Sequence, residues 1–236
     1  MIDKIKWIHE NISFEEEKHI YTRDGKQYDS VTSLLSTYSS FDKEVISIRT
    51  AKKQGCSQKE ILDLWEEIAQ KGTDIHKFAE EVIQGKKPDL IRIYSSECRQ
   101  VLKVIAYLKT KYVHLIPEVR VWNSYLQMAG TIDLIAITED GQVDIYDWKT
   151  NSKGITDKSW NNLKGILDKV PDSKLHTYSL QLAIYSLMLG FYKIATRDRY
   201  LLHISEHDNR IIPCEDMTTF GKAVLIERAK DVIKRG

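Results

Sequence analysis

Asp133, Asp147 and Lys149 are the residues in this chain whose types and spacing best suit chemistry. The runs Gly130–Thr138 (GTIDLIAIT) and Gln142–Thr150 (QVDIYDWKT) read as β-strands joined by a turn at Glu139-Asp140-Gly141. Side chains alternate across a strand, so Asp147 and Lys149 share a face with Val143 and Ile145, and Asp133 shares one with Ile135 and Ile137. A tight hairpin makes the strands antiparallel neighbours, so the two carboxylates and the ammonium converge at one end of a sheet. Carboxylates brought so close repel unless a cation lies between them. Oxygen ligands suit Mg²⁺. Such a cation lowers the pKa of water and polarises a phosphoryl oxygen, while a lysine steadies charge growing on phosphorus. The chemistry this suggests is phosphodiester hydrolysis. On its own, an Asp-x-Lys triplet is also an ordinary exposed ion pair.

The elements around this triplet follow from the pattern. Residues 19–29 read as a hairpin turning at Asp24-Gly25, and Ser30–Tyr38 as a short helix. A polar helical stretch begins at Lys43. Ser57 and Glu60 form a capping box ahead of ILDLWEEIA. Gly72 predicts a bend or break, with helix resuming from Thr73 to Gln84. Ser95–Lys111 is a further helix. Glu118–Trp122 is a short β-prone run. The segment 151–172 is polar and irregular. Leu175–Leu189 is a strong helix after Pro171. Arg199–Ser205 and Arg210–Ile212 are strands about a turn at His207-Asp208-Asn209, and Phe220–Lys234 is an amphipathic helix. This order predicts an α/β (α+β) fold, a central mixed β-sheet flanked by helices with an N-terminal helical elaboration. One domain is expected over residues 1–236. Its parts are a hairpin and helical region at 1–112, the sheet core at 113–212 and a closing helix at 213–236.

Composition excludes several classes. The chain has 236 residues, 42% hydrophobic and 29% charged, with 4 prolines and 11 glycines, the balance of a globular chain without long linkers. The N-terminal run MIDKIKWIHENISF is charged from Asp3 onward and does not resemble a secretory leader. The apolar run Tyr178–Tyr192 is too short to span a bilayer, so no membrane association is expected. Cys56, Cys98 and Cys214 stand far apart and odd in number, which suggests reduced thiols in a cytoplasmic protein. A net charge of +1 means that any contact with nucleic acid comes from local patches. The candidates are the lysine-bearing segment 149–174 and a basic last helix that includes Arg228.

Gly130-x-x-Asp133 followed by Asp147-Trp148-Lys149 resembles the signature of the PD-(D/E)XK nuclease superfamily, here with Ile132 where the motif carries proline. Lys71-Gly72-Thr73-x-x-His76-x-x-x-Glu80 and Gln181-x-x-x-Tyr185 are similar to motifs of its RecB-type branch. Tyr28-Asp29-Ser30-Val31-Thr32 resembles the opening segment of phage-type members. The resemblance implies a restriction-endonuclease-like core and a Mg²⁺- or Mn²⁺-dependent DNA nuclease. It also implies exonuclease action on linear or single-stranded DNA ends in recombination, replication or phage DNA processing, with a replication or recombination protein as partner. The setting would be the cytoplasm of a bacterium or a phage-infected cell. The metal would be held by His76, Asp133 and Asp147, with Glu118 a further acid near the site or a strand-edge ion pair. Lys149 would assist catalysis. Gln181 and Tyr185, four apart on one helix face, would reach into the site. His76 lies at the edge of an apolar stripe formed by Ile75, Ala79, Val82 and Ile83, where it could equally be a packing-boundary histidine. Thr73, Thr150, Lys153, Lys158 and Lys164 are expected to contact substrate. Trp160 would either stack on a base or pack its loop. Some relatives hold an iron–sulfur cluster through four cysteines. This chain has three, so no cluster is expected. The rival reading is a nucleic-acid-binding or regulatory protein on a nuclease fold, or an endonuclease of the same superfamily. That every expected polar position is filled favours an enzyme.

Overall fold

A computed structural model describes residues 1–88, 95–152 and 154–235. The chain opens with α1 (Ile2–Glu10), β1 (Ser13–Glu15), β2 (Ile20–Arg23) and β3 (Lys26–Ser30). It continues through α2 (Val31–Ser36), α3 (Lys43–Gln54), α4 (Gln58–Ile83) and α5 (Ser96–Leu108). The central sheet is laid down by β4 (His114–Asn123), β5 (Met128–Ile137) and β6 (Val143–Lys149). Then come α6 (Lys174–Phe191), β7 (Thr196–Ile204), β8 (Asn209–Pro213) and α7 (Thr218–Arg235). Strands β4, β5 and β6 form an antiparallel meander, β7 runs parallel to β6 after the α6 crossover, and β8 closes the edge antiparallel to β7. The expected mixed α/β sheet flanked by helices is what the chain adopts. Among the described residues, no helix is long and apolar enough to cross a membrane.

Two layers of helices cover the sheet because its strands are apolar on both faces. One core joins α1, α2, α6 and α7 to Ile135, Ile137, Val143, Ile145 and Leu201. The other joins α4 and α5 to Leu134, Ala136, Tyr146, Trp148 and Leu202. Trp148 is therefore core, as the alternation predicts. The β5 edge facing β6 is shared. β6 pairs only with Leu134–Ile137, and β3 pairs parallel with Met128 and Ala129. Residues 130–133 lie between these two pairings, in a seam.

Strand alternation slips at this seam. Ile132 packs into the first core with Ile135 and Ile137, while Leu134 packs into the second. Residues two apart on a regular strand share a face, so β5 is kinked at Asp133. The neighbouring strand is kinked opposite. Register aligns Pro117 with Leu134 and Val119 with Ile132, which sets Glu118 against Asp133, and Glu118 has φ 51°. A left-handed glutamate costs about 1–3 kcal/mol, a strain typical of functional positions. This corrects the expectation that Asp133 simply shares the face of Ile135 and Ile137. It also lengthens the expected short run at Glu118 into a ten-residue strand.

Helix α4 runs unbroken through Gly72, contrary to the expected bend, from the Ser57–Glu60 capping box to Ile83. Gly72 serves close approach instead: a Cβ there would stand 3.2 Å from Thr150 Oγ1. Arg228 is not part of a solvated basic face. It is buried, donates to the carbonyls of Leu126 and Gln127, and pairs with Asp29 at 2.7 Å. Helix α1 and strand β1 were not foreseen. Ile5, Ile8 and Ile12 of this amphipathic segment bury fully against the first core.

Candidate active site

The site is built on the β5–β6 seam. Asp133 Oδ2 accepts the Trp148 backbone N–H at 2.8 Å, a donor that regular pairing would have sent to a strand carbonyl. The same oxygen lies 3.3 Å from His76 Nδ1 on α4. Ligand atoms of His76, Glu118 and Asp133 all lie within 4.8 Å of one another. Asp147, buried, pairs with the Lys149 ammonium, and its Oδ1 accepts from Gln181 Nε2 at 3.4 Å. Its Oδ2 is buried and lies against the ammonium. The Lys149 ammonium also sits 4.3 Å from the Tyr178 ring centroid, a cation–π contact that fixes its position.

Electrostatics at the seam are unbalanced toward negative charge. Burial, then Asp133, Glu80, Asp147 and Glu16, push the Glu118 carboxyl up to about 9. Burial raises Asp147 to about 6 and Asp133 adds to this, while Lys149 and His76 oppose it. For Lys149, burial is the largest influence and favours the neutral amine. The carboxylates of Asp147 and Asp133 outweigh it and hold the ammonium charged. One lysine does not neutralise this group of acids. A glutamate whose carboxyl is raised by its acidic neighbours and an imidazole nitrogen beside carboxylate oxygens make a donor set that fits a divalent cation.

Gln181 and Tyr185 come together on α6, with Gln181 Nε2 3.5 Å from the Tyr185 hydroxyl. Tyr185 is buried against Gly130, where a Cβ would come within 2.5 Å of its ring, so only glycine fits. Thr150 lies under Gly72, next to the site. Thr73 is on the exposed side of α4 and bonds its own helix at Ala69 O. Lys158 and Lys164 are exposed on the segment after β6, and Lys153 lies outside the described residues. Trp160 is fully exposed, which removes the loop-packing alternative. The expected ligand trio is not the closest one: Glu118 stands with His76 and Asp133, and Asp147 stands beside them, bound to Lys149. Tyr178 and Asn151 were overlooked as site residues. Tyr178 donates to Asn151 Oδ1 at 3.2 Å, and His203 meets the Asn151 carbonyl at 2.8 Å, which ties the end of β6 to β7. Tyr178 was detectable, because 178, 181 and 185 lie on one helix face.

A model of the PD-(D/E)XK nuclease superfamily matches residues 33–201. No protein with a curated description matches the chain. The structure of a protein named SSO0001 aligns with 100% of this chain and 85% of its own, at 15% identity and a TM-score of 0.41. A Eubacterium rectale protein named a "putative exonuclease" aligns over 88% of this chain and 80% of its own, at 14% identity and a TM-score of 0.40.

Proposed function

The chain belongs to the PD-(D/E)XK nuclease superfamily, and from that premise we propose that it is a metal-dependent deoxyribonuclease acting as an exonuclease on DNA ends. The observation that carries the reading is the convergence of His76, Glu118 and Asp133 within 4.8 Å, beside the Asp147–Lys149 pair. His76, Glu118, Asp133 and the carboxylate of Asp147 would hold Mg²⁺ or Mn²⁺, the imidazole nitrogen favouring Mn²⁺ somewhat. Bound there, the cation supplies Lewis-acid polarisation of the scissile phosphate and a nucleophile at neutral pH.

The residues of the chain do the rest. Lys149, held charged by Asp147 and Asp133 and propped by Tyr178, faces the charge that develops on the phosphoryl oxygens. Gln181 fixes the rotamer of Asp147 from α6 and leaves its second oxygen to Lys149. A cation beside Glu118 would lower its raised pKa, so cation binding and deprotonation would be coupled. Thr150 and the lysines at 158 and 164 would take phosphates along the segment leaving β6.

The test is a gel assay with 5′- and 3′-labelled linear DNA and covalently closed circles, in Mg²⁺, Mn²⁺ or chelator. Expected is release of short products from linear DNA only, in either metal and not in chelator. Lys149→Ala should fold normally and cleave on the order of 10²–10³-fold more slowly. Cleavage at full rate in chelator overturns the metal reading, and cutting of circles overturns the exonuclease reading.

A further inference from the structure

Two exposed aromatic side chains and a half-buried one stand on elements tied to one another. Trp160 is fully exposed and Phe41 is 60% exposed. Phe41 and half-buried Trp65 meet at 6.1 Å between ring centroids, with planes inclined by 47°. The connection from α2 to α3, which carries Phe41, is clasped by one carboxylate. Asp172 accepts from Ser39 Oγ at 3.0 Å, Ser40 N at 2.7 Å and Ser40 Oγ at 2.8 Å. The Asp172 backbone N–H donates to the Asn161 carbonyl at 2.8 Å, next to Trp160. Trp65 lies seven residues before Gly72 on α4, about 10 Å along the axis from where that helix touches Thr150. Phe41 thus meets Trp65 on α4, the helix that touches Thr150 through Gly72, and the Asp172 clasp ties the connection carrying Phe41 to the segment carrying Trp160.

Charge accompanies the rings. Lys158 is two residues from Trp160, Lys43 is two residues from Phe41, and both are exposed. Lys164 is exposed where its backbone N–H joins the segment to the Tyr38 carbonyl at 2.7 Å. Lys174 reaches over the Tyr178 ring at 5.6 Å. Flat rings interleaved with ammonium groups complement a polynucleotide whose bases are unstacked: rings take the bases, and lysines take the phosphates. A duplex keeps its base faces buried in its own stack and has nothing to offer these rings.

We propose that Phe41, Trp65 and Trp160 form a stacking platform for single-stranded nucleic acid, which leads the strand to the site between α4 and the segment after β6. The proposal rests on the nuclease reading for its direction of travel and deepens it by naming an unpaired strand as the substrate. Recognition is independent of sequence, because every base presents a π-face.

The test uses the full chain carrying Lys149→Ala, with Mg²⁺, so that binding is read without turnover. The probes are fluorescein-labelled oligothymidylate and a blunt duplex of the same length. Oligothymidylate should quench tryptophan fluorescence. Trp160→Ala, on a fully exposed side chain that folding does not need, should weaken oligothymidylate binding on the order of tenfold. Phe41→Ala with Trp65→Ala should do the same, Trp160→Phe should retain most of the affinity, and duplex affinity should not change. Unchanged oligothymidylate affinity in both alanine variants overturns the proposal and leaves the aromatic patch to a protein partner. An equal loss for duplex and single strand also overturns it. Failure of the nuclease reading shows up separately, as absence of metal-dependent cleavage by the protein with Lys149 intact.

Discussion

Glu118 carries most of the local cost of this site. Its backbone is left-handed, its half-buried carboxyl stands among acids, and neither feature helps folding. Without metal its folded-state pKa of about 9 exceeds the ordinary glutamate value of 4.5. The folded chain then holds a proton that the unfolded chain has lost, so stability falls as pH rises through that window. The metal-free protein should therefore melt several degrees lower at pH 8.5 than at pH 5.5. Mg²⁺ or Mn²⁺ should remove most of that difference, and Glu118→Gln should flatten the metal-free profile and abolish the metal response. A metal-free profile that is equally steep in Glu118→Gln would assign the titration to another group. The types of these residues were legible in the sequence, since Asp133, Asp147, Lys149 and His76 sit in recognisable spacings. The closeness of Glu118 to Asp133 was not, because it depends on matching kinks in two strands, and period-two reasoning assumes that strands have none.

At the scale of elements, the Asp172 clasp joins two segments that have no regular pairing with each other. Asp172→Ala should cost about 1–3 kcal/mol, read by chemical denaturation. It should also admit proteolysis between residues 37 and 42 while the sheet stays resistant. Equal protection in variant and parent would show that the clasp is dispensable. Most elements could be read from the sequence: the Ser57–Glu60 capping box marks the start of α4, and Asp24 and Gly25, both with positive φ, mark the hairpin of β2 and β3. Helix α1 could not, because its apolar residues Ile5 and Ile8 are diluted by charge and gain their meaning only against the sheet. Gly72 misled for a related reason. A helix already capped and striped tolerates one glycine at a cost of about 1 kcal/mol, and here the missing side chain lets α4 lie on Thr150.

For the whole molecule, a net charge of +1 places the attraction for a polyanion in a few positions, not in an overall field. If Lys158 and Lys164 contact phosphates, the slope of log affinity against log salt for a single strand should fall by roughly 0.7 for each lysine replaced by alanine. An unchanged slope would make them bystanders. The antiparallel pairing of β5 with β6 was legible because a tight turn joins them. The seam was not, since it arises where β3 and β6 share one edge of β5 without meeting. Gly130 sits in that seam with the Tyr185 ring where its side chain would be. The two positions therefore form a single heritable unit. A lineage cannot acquire a side chain at 130 and keep the ring at 185, and one that loses the ring frees 130 to vary. Among descendants of a common ancestor, these two sites should change together or not at all.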